Sequence, residues 1–173
     1  MENQEIKKNP EFLEHVLELN EGRNLFEALY KSAYDISLLD IEQLNRIGHK
    51  VYEKDKWTLH KILQHLIDWE RIWCFRAIAF ARNEGTIPVA MDQEIMAQHS
   101  NADELTIEHL IEELKSVRQS TIIMFKSFNQ SILDINCVFF EYEMPLYTIG
   151  LTIVAHQIHH FNVIEERYLP LDE

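Results

Sequence analysis

Turn-forming residues are scarce: 173 residues contain only four glycines and four prolines. A β-rich fold needs a turn signal about every 8–12 residues, so an all-β architecture lacks its punctuation and the chain reads as helical. The two cysteines, Cys74 and Cys137, supply neither a disulfide framework nor a cysteine-rich zinc site. Basic residues are also few. Sixteen Lys and Arg stand against 29 Asp and Glu, a net charge of −13, which argues against a surface that coats nucleic acid or an anionic membrane. No run approaches the ~18 consecutive apolar residues of a membrane span, and Met1-Glu2-Asn3-Gln4-Glu5 lacks a basic-then-apolar signal pattern. The expectation is a cytoplasmic protein of one domain, residues 1–173.

What is present is helical periodicity. Phe12, Leu13, Val16, Leu17 and Leu19 suggest a short lead-in helix within residues 1–20, interrupted at Gly22. Leu25, Leu29, Ala33 and Ile36 carry the spacing of a first main helix. Residues 40–56 read as a polar connection holding about a turn of helix. The second main helix, capped by Asp55 or Thr58, runs to Arg82 and stops at Asn83-Glu84-Gly85. Residues 86–102 carry Pro88 and no sustained period. A connection of that length suggests a crossover between parallel helices rather than a hairpin. Leu110, Leu114, Val117, Thr121 and Phe125 mark the third helix, ending near Phe128. Residues 130–147 connect it, with an extended stretch at Val138, Phe139 and Phe140, to a fourth helix from Tyr147 to Tyr168 that Pro170 terminates. Four long helices around one core predict an all-α four-helix bundle.

Nine histidines divide into two groups. His15, His49, His60, His99 and His109 fall in polar surroundings or on outer faces, and are expected to be solvated. His65, His156, His159 and His160 lie on helices with apolar stripes. At about 100° per residue, His65 borders the stripe of Leu59, Leu63, Leu66, Trp73 and Ala77. Glu70 falls near the middle of that stripe. A carboxylate there needs a partner, and an arginine of the bundle or a bound cation would serve. His156 and His160, four apart, stand one above the other beside Ile149, Ile153 and Val163. They can aim two ring nitrogens at one point. His159 turns toward Asn162 and Glu166 and is the weaker candidate ligand.

With His65 leaning inward from another helix, three neutral imidazoles can hold a divalent transition ion and leave positions open, as catalytic sites do. Two other metal patterns are missing. No histidine has a glutamate three positions before it, as di-iron bundles require. Gln157 stands where a zincin protease carries glutamate. Cys74 and Cys137 read as buried apolar side chains, with no local base to make either a nucleophile.

Three stretches carry a resemblance to the DinB-like, or DinB/YfiT-like, superfamily of metalloenzymes over nearly the whole chain. Lys56-Trp57-Thr58 followed by His65-Leu66-Ile67-Asp68-Trp69-Glu70 is similar to that family's second helix. Leu114 to Thr121 resembles its third. Ala155-His156-Gln157-Ile158-His159-His160, with Glu166 to Leu169, resembles its closing helix. The resemblance implies an up-down-down-up bundle and a metal triad at His65, His156 and His160 holding nickel or zinc. It also implies a homodimer and an activity like that of bacillithiol S-transferases or mycothiol-dependent maleylpyruvate isomerases. The chain departs from the pattern at Ala155, where relatives often carry glycine, and at Val89-Ala90-Met91-Asp92, where many have a Pro-Gly-Phe-Asp-like turn.

The leading expectation is therefore a metal-dependent thiol S-transferase acting on a low-molecular-weight thiol and an electrophile. Glu70 or Asp68 would orient a ligand ring or take the thiol proton. The alternatives are metal-assisted hydrolysis and a non-catalytic metal-binding dimer.

Overall fold

The computed structural model describes residues 10–84, 91–139 and 142–172. In chain order these form helices α1 (Pro10–Leu19), α2 (Leu25–Ser37), α3 (Ile41–Ile47), α4 (Leu59–Ala81), α5 (Gln93–His99), α6 (Ile107–Lys126), α7 (Gln130–Leu133) and α8 (Tyr147–Val163), with a hairpin of β1 (Asn136–Phe139) and β2 (Tyr142–Pro145) between α7 and α8. Helices α2, α4, α6 and α8 are the bundle: α4 packs on α6 and α8, and α2 packs on the same two.

The helix starts follow local chemistry. Asn24 and Glu27 form a reciprocal capping box at α2, while Thr58 and Thr106 cap α4 and α6 through their hydroxyls. Asn83, in a left-handed conformation at φ 57°, closes the end of α4. Gly150 is the place where α8 needs a missing side chain. A Cβ there would run into Leu25 Cδ1 and lie 3.1 Å from Phe125 Cζ.

The apolar core falls into two clusters. One gathers Leu25 and Leu29 of α2, Trp73 and Ala77 of α4, Ile122 and Phe125 of α6, and Ile149 and Ile153 of α8. The other gathers Ile36, Leu59, Leu63, Ile107, Leu110, Ile164 and Tyr168. Where the two clusters meet, each helix contributes a buried polar side chain to one network: Ser32, Glu70, Arg118 and Gln157. Arg118 Nε and Nη2 each donate to one Glu70 carboxylate oxygen at 2.9 Å, and its Nη1 donates to Ser32 Oγ. Gln157 Nε2 donates to the Ser32 carbonyl at 3.0 Å. The four bundle helices are thus bolted at one level by a polar girdle. A buried carboxylate is tolerable only with such partners.

Several boundaries differ from the sequence expectation. The polar stretch 40–56 contains the seven-residue helix α3, capped by Asp40. The 83–102 crossover contains α5, capped by Asp92, and a 3-10 turn at Ala102–Glu104. Both helices are too short for two full repeats of an apolar pattern, and side-chain caps rather than periodicity announce them. Val138 and Phe139 of the expected extended stretch lie on β1, one arm of a hairpin pairing Cys137 with Met144. Phe140 lies outside the described residues, as do residues 1–9 of the lead-in segment and Val89-Ala90 of the crossover. Pro170 does not end the closing helix. After α8 the chain widens into a π-helix, Ile164–Tyr168, and tightens into a 3-10 turn, Leu169–Asp172, that includes Pro170. A proline is tolerated there because the first N–H groups of a turn have no internal partner. Among the described residues, no helix is long and apolar enough to cross a membrane.

Candidate metal centre

Helix α4 brings His65, and α8 brings His156 and His160, to a single point. Each offers a nitrogen, and the three nitrogens lie within 4.8 Å of one another. His65 Nε2 and His156 Nε2 are 2.9 Å apart, and the ring centroids are separated by 4.7–4.9 Å. The i, i+4 spacing stacks His156 over His160 on one face of α8. Trp57, Trp69 and Trp73 pack against the group: Trp57 lies 4.9 Å from His65, and Trp73 lies 4.9 Å from His156.

This packing sets the protonation state. Burial lowers His65 from 6.5 to about 3, with His160 adding to the effect. Burial, then the neighbouring histidines, lowers His156 to about 2. Burial and His159 lower His160 to about 4. The three rings are neutral at physiological pH, so each has a lone pair to give. Two nitrogens each about 2.0–2.1 Å from a shared ion stand about 2.9 Å apart at a right angle and about 3.4 Å apart at a tetrahedral one. The 2.9 Å separation of His65 and His156 matches the right-angle arrangement of adjacent ligands on one ion. His159 is exposed and stands outside the group, as its place on the helix predicts.

The two carboxylates expected near the site occupy different settings. Glu70 is 2% exposed and gives both oxygens to Arg118. This is the arginine partner that its sequence position called for. Asp68 is half-buried, accepts from Gln64 Nε2 at 2.9 Å, and shares a small recess with His65. Burial raises its carboxyl above the usual range. Both thiols are pushed up to about 12 by burial, Cys74 lying 3.2 Å from Thr121 Oγ1 and Cys137 donating to the Met144 carbonyl. Neither is poised as a nucleophile.

A second titratable cluster corrects one expectation. His60, expected to be solvated, is only 5% exposed. It sits in the first turn of α4 beneath His49, whose ring stacks on it at 4.3 Å and 4°. Asp103 lies beside both. In parallel stacked rings the nitrogen lone pairs lie in separate planes, so the two cannot converge on one ion as they stand. Asp103 is engaged elsewhere: Thr58 Oγ1 donates to its carboxylate at 2.5 Å, and Lys61 Nζ lies 3.6 Å away. The cluster is a clasp between the α3–α4 connection and the 3-10 turn. His15, His49, His99 and His109 are exposed, as expected.

Two cavities open beside the triad and share Gln93, His156 and His159 as lining. One, of about 400 Å³, is walled by Val16, Leu19, Trp69, Trp73, Met91 and Ala155. The other, of about 500 Å³, presents Tyr52, Asp55, Lys56, Trp57, Glu94 and Tyr168. Tyr168, delivered by the π-helix, donates its hydroxyl to the Trp57 carbonyl and so fixes the wall of the second cavity. Little along the chain announces the Ser32 and Gln157 bolts or the α1 wall. A serine in the apolar stripe of α2 was the available signal for the first.

No curated protein matches the chain. The solved structure of YfiT from Bacillus subtilis, described as a probable metal-dependent hydrolase with an unusual four-helix bundle topology, matches with a TM-score of 0.58. Identity is 13%, and the match covers 93% of this chain and 90% of that one. The likeness establishes the four-helix bundle fold. The DinB superfamily model matches residues 18–164, and the chain belongs to that superfamily.

Proposed function

We propose that this chain is a metal-dependent enzyme whose divalent ion is held by His65, His156 and His160. The observation that carries the reading is the convergence of three neutral, inward-facing nitrogens from two helices at the junction of two cavities. Three histidines leave coordination positions free, and the imidazole set suits nickel or zinc. Such an ion supplies Lewis acidity, lowering the pKa of a bound thiol or water.

The reaction we favour is thiol S-transfer. Two cavities that share His156 suit two reactants, a low-molecular-weight thiol and an electrophile, brought together at one centre. Asp68, in the recess beside His65, is placed to steady that ring or take up a proton; Glu70 holds the bundle through Arg118. Hydrolysis is the second reading, favoured by the description of YfiT. Turnover that rises saturably with thiol concentration in nickel- or zinc-loaded protein supports S-transfer, whereas turnover without thiol supports hydrolysis. Absence of both, with metal retained, would leave the non-catalytic metal-binding dimer. The up-down-down-up course belongs to the same reading. The starts of α2 and α8 share one apolar cluster with the ends of α4 and α6. A single domain, a homodimer and a cytoplasmic setting complete it, to be checked by limited proteolysis, sedimentation and fractionation.

A further inference from the structure

The cavity on the α1 side has a wall that the family match barely reaches. Helix α1 covers Pro10–Leu19, whereas the matched segment begins at residue 18. Val16 and Leu19 of this helix face Trp69, Trp73, Met91 and Ala155 across about 400 Å³, within the roughly 300–1,000 Å³ of small-molecule sites. The wall is fixed. Val16 is 2% exposed, and Asn20, 1% exposed, donates from Nδ2 to the Leu151 carbonyl of α8 at 3.1 Å. The same Nδ2 donates to the Val16 carbonyl at 2.7 Å, which ties the end of α1 to the bundle.

The two cavities differ in chemistry. Among the described residues, no Lys, Arg, Asp or Glu lines the α1 cavity, whereas Asp55, Lys56 and Glu94 line the other. Two indoles and four aliphatic or thioether side chains present a surface that gains by shedding water onto an apolar ligand. His15, Gln93, Thr152, His156 and His159 complete the lining, so a charged reactant would meet no carboxylate, ammonium or guanidinium of the described residues to offset its desolvation.

We propose that the α1 cavity is the subsite for a neutral reactant with an aromatic or bulky apolar body, its reactive end at His156, and that α1 sets this preference. The location of the reaction rests on the metal-enzyme reading; binding of the apolar body does not.

The test uses the whole chain stripped of metal and titrated with bromobenzene, whose bromine quenches indole fluorescence on contact. Of the three tryptophans, Trp69 and Trp73 line this cavity and Trp57 lines the other. The expected result is saturable quenching that persists in Trp57→Phe and in His160→Ala. Binding should weaken roughly tenfold or more in Leu19→Asp, where a carboxylate would be desolvated. Ala155→Leu, which fills the cavity from α8, should weaken it as much and covers the case in which Leu19→Asp fails to fold. Quenching that never saturates, or saturable binding left unchanged by the folded variants, would overturn the proposal. Stoichiometric metal retained in the triad variants would overturn the metal reading and leave this titration unmoved.

Discussion

Replacing Arg118 by Met should be among the most damaging single changes to the bundle. Arg118 is 1% exposed and Glu70 2% exposed, and two 2.9 Å hydrogen bonds join guanidinium to carboxylate. Methionine fills much of the volume but leaves Glu70 buried without a cation, and Ser32 loses a donor. Removing one partner of a buried pair costs about 3–5 kcal/mol. At about 2–4 °C per kcal/mol for a chain of this size, melting should fall by roughly 6–20 °C. Urea unfolding followed by far-UV circular dichroism gives the free energy directly, with an unchanged slope showing that the unfolded state is the same. One further signature separates an ion-pair effect from simple mispacking. The Glu70→Met/Arg118→Met double variant should recover most of the loss, because no charge then remains buried. Metal stoichiometry should survive in both variants, since neither side chain touches the triad. A loss below about 1 kcal/mol, or a double variant no more stable than the single, would refute the reasoning.

The triad histidines have depressed folded pKa values, so the unfolded chain binds the extra protons and stability drops as pH falls through about 6.5 toward 4. Between about pH 7.5 and pH 5.5 the metal-free protein should lose about 2–4 kcal/mol in urea titrations, and a His65→Ala/His156→Ala/His160→Ala variant that loses as much would exclude the triad as the cause. Adding nickel or zinc at about 1,000 times the dissociation constant should stabilise the protein by about 4 kcal/mol; scanning calorimetry would show the shift, and its persistence in His156→Ala would count against the site. Asn20→Ala should cost about 1–2 kcal/mol by removing the bonds from Nδ2 to Val16 and Leu151. Chemical denaturation measures that cost, and no change would show that α1 is held by apolar packing alone.

Much of this structure was legible before any coordinates. The pairing of His156 with His160 follows from helical spacing, because residues at i and i+4 share a face whatever the neighbours do; His65, on another helix, joins them through its place beside an apolar stripe and through the family resemblance. Glu70 in mid-stripe implied a cation, and Arg118 is that cation. What escaped is non-local. Ser32 and Gln157 become bolts only when four helices settle at one axial level, and no window along the chain contains that register. His60 looked solvated because its own turn is polar; its cover, His49, comes from a different element. The π-helix at Ile164–Tyr168 carries no distinctive composition, yet it delivers Tyr168 to the cavity wall. The departure at Ala155 acquires a location: it lines the α1 cavity next to a proposed ligand.

The central claim is that His65, His156 and His160 together hold one divalent ion. Elemental analysis of untagged protein purified without chelator, beside the alanine variant of each histidine, tests it most directly. The account predicts about one nickel or zinc ion per chain in the native protein, lost in all three variants while their helical content is unchanged. Native protein that stays metal-free after exposure to nickel and zinc, or a variant that keeps stoichiometric metal, would contradict it.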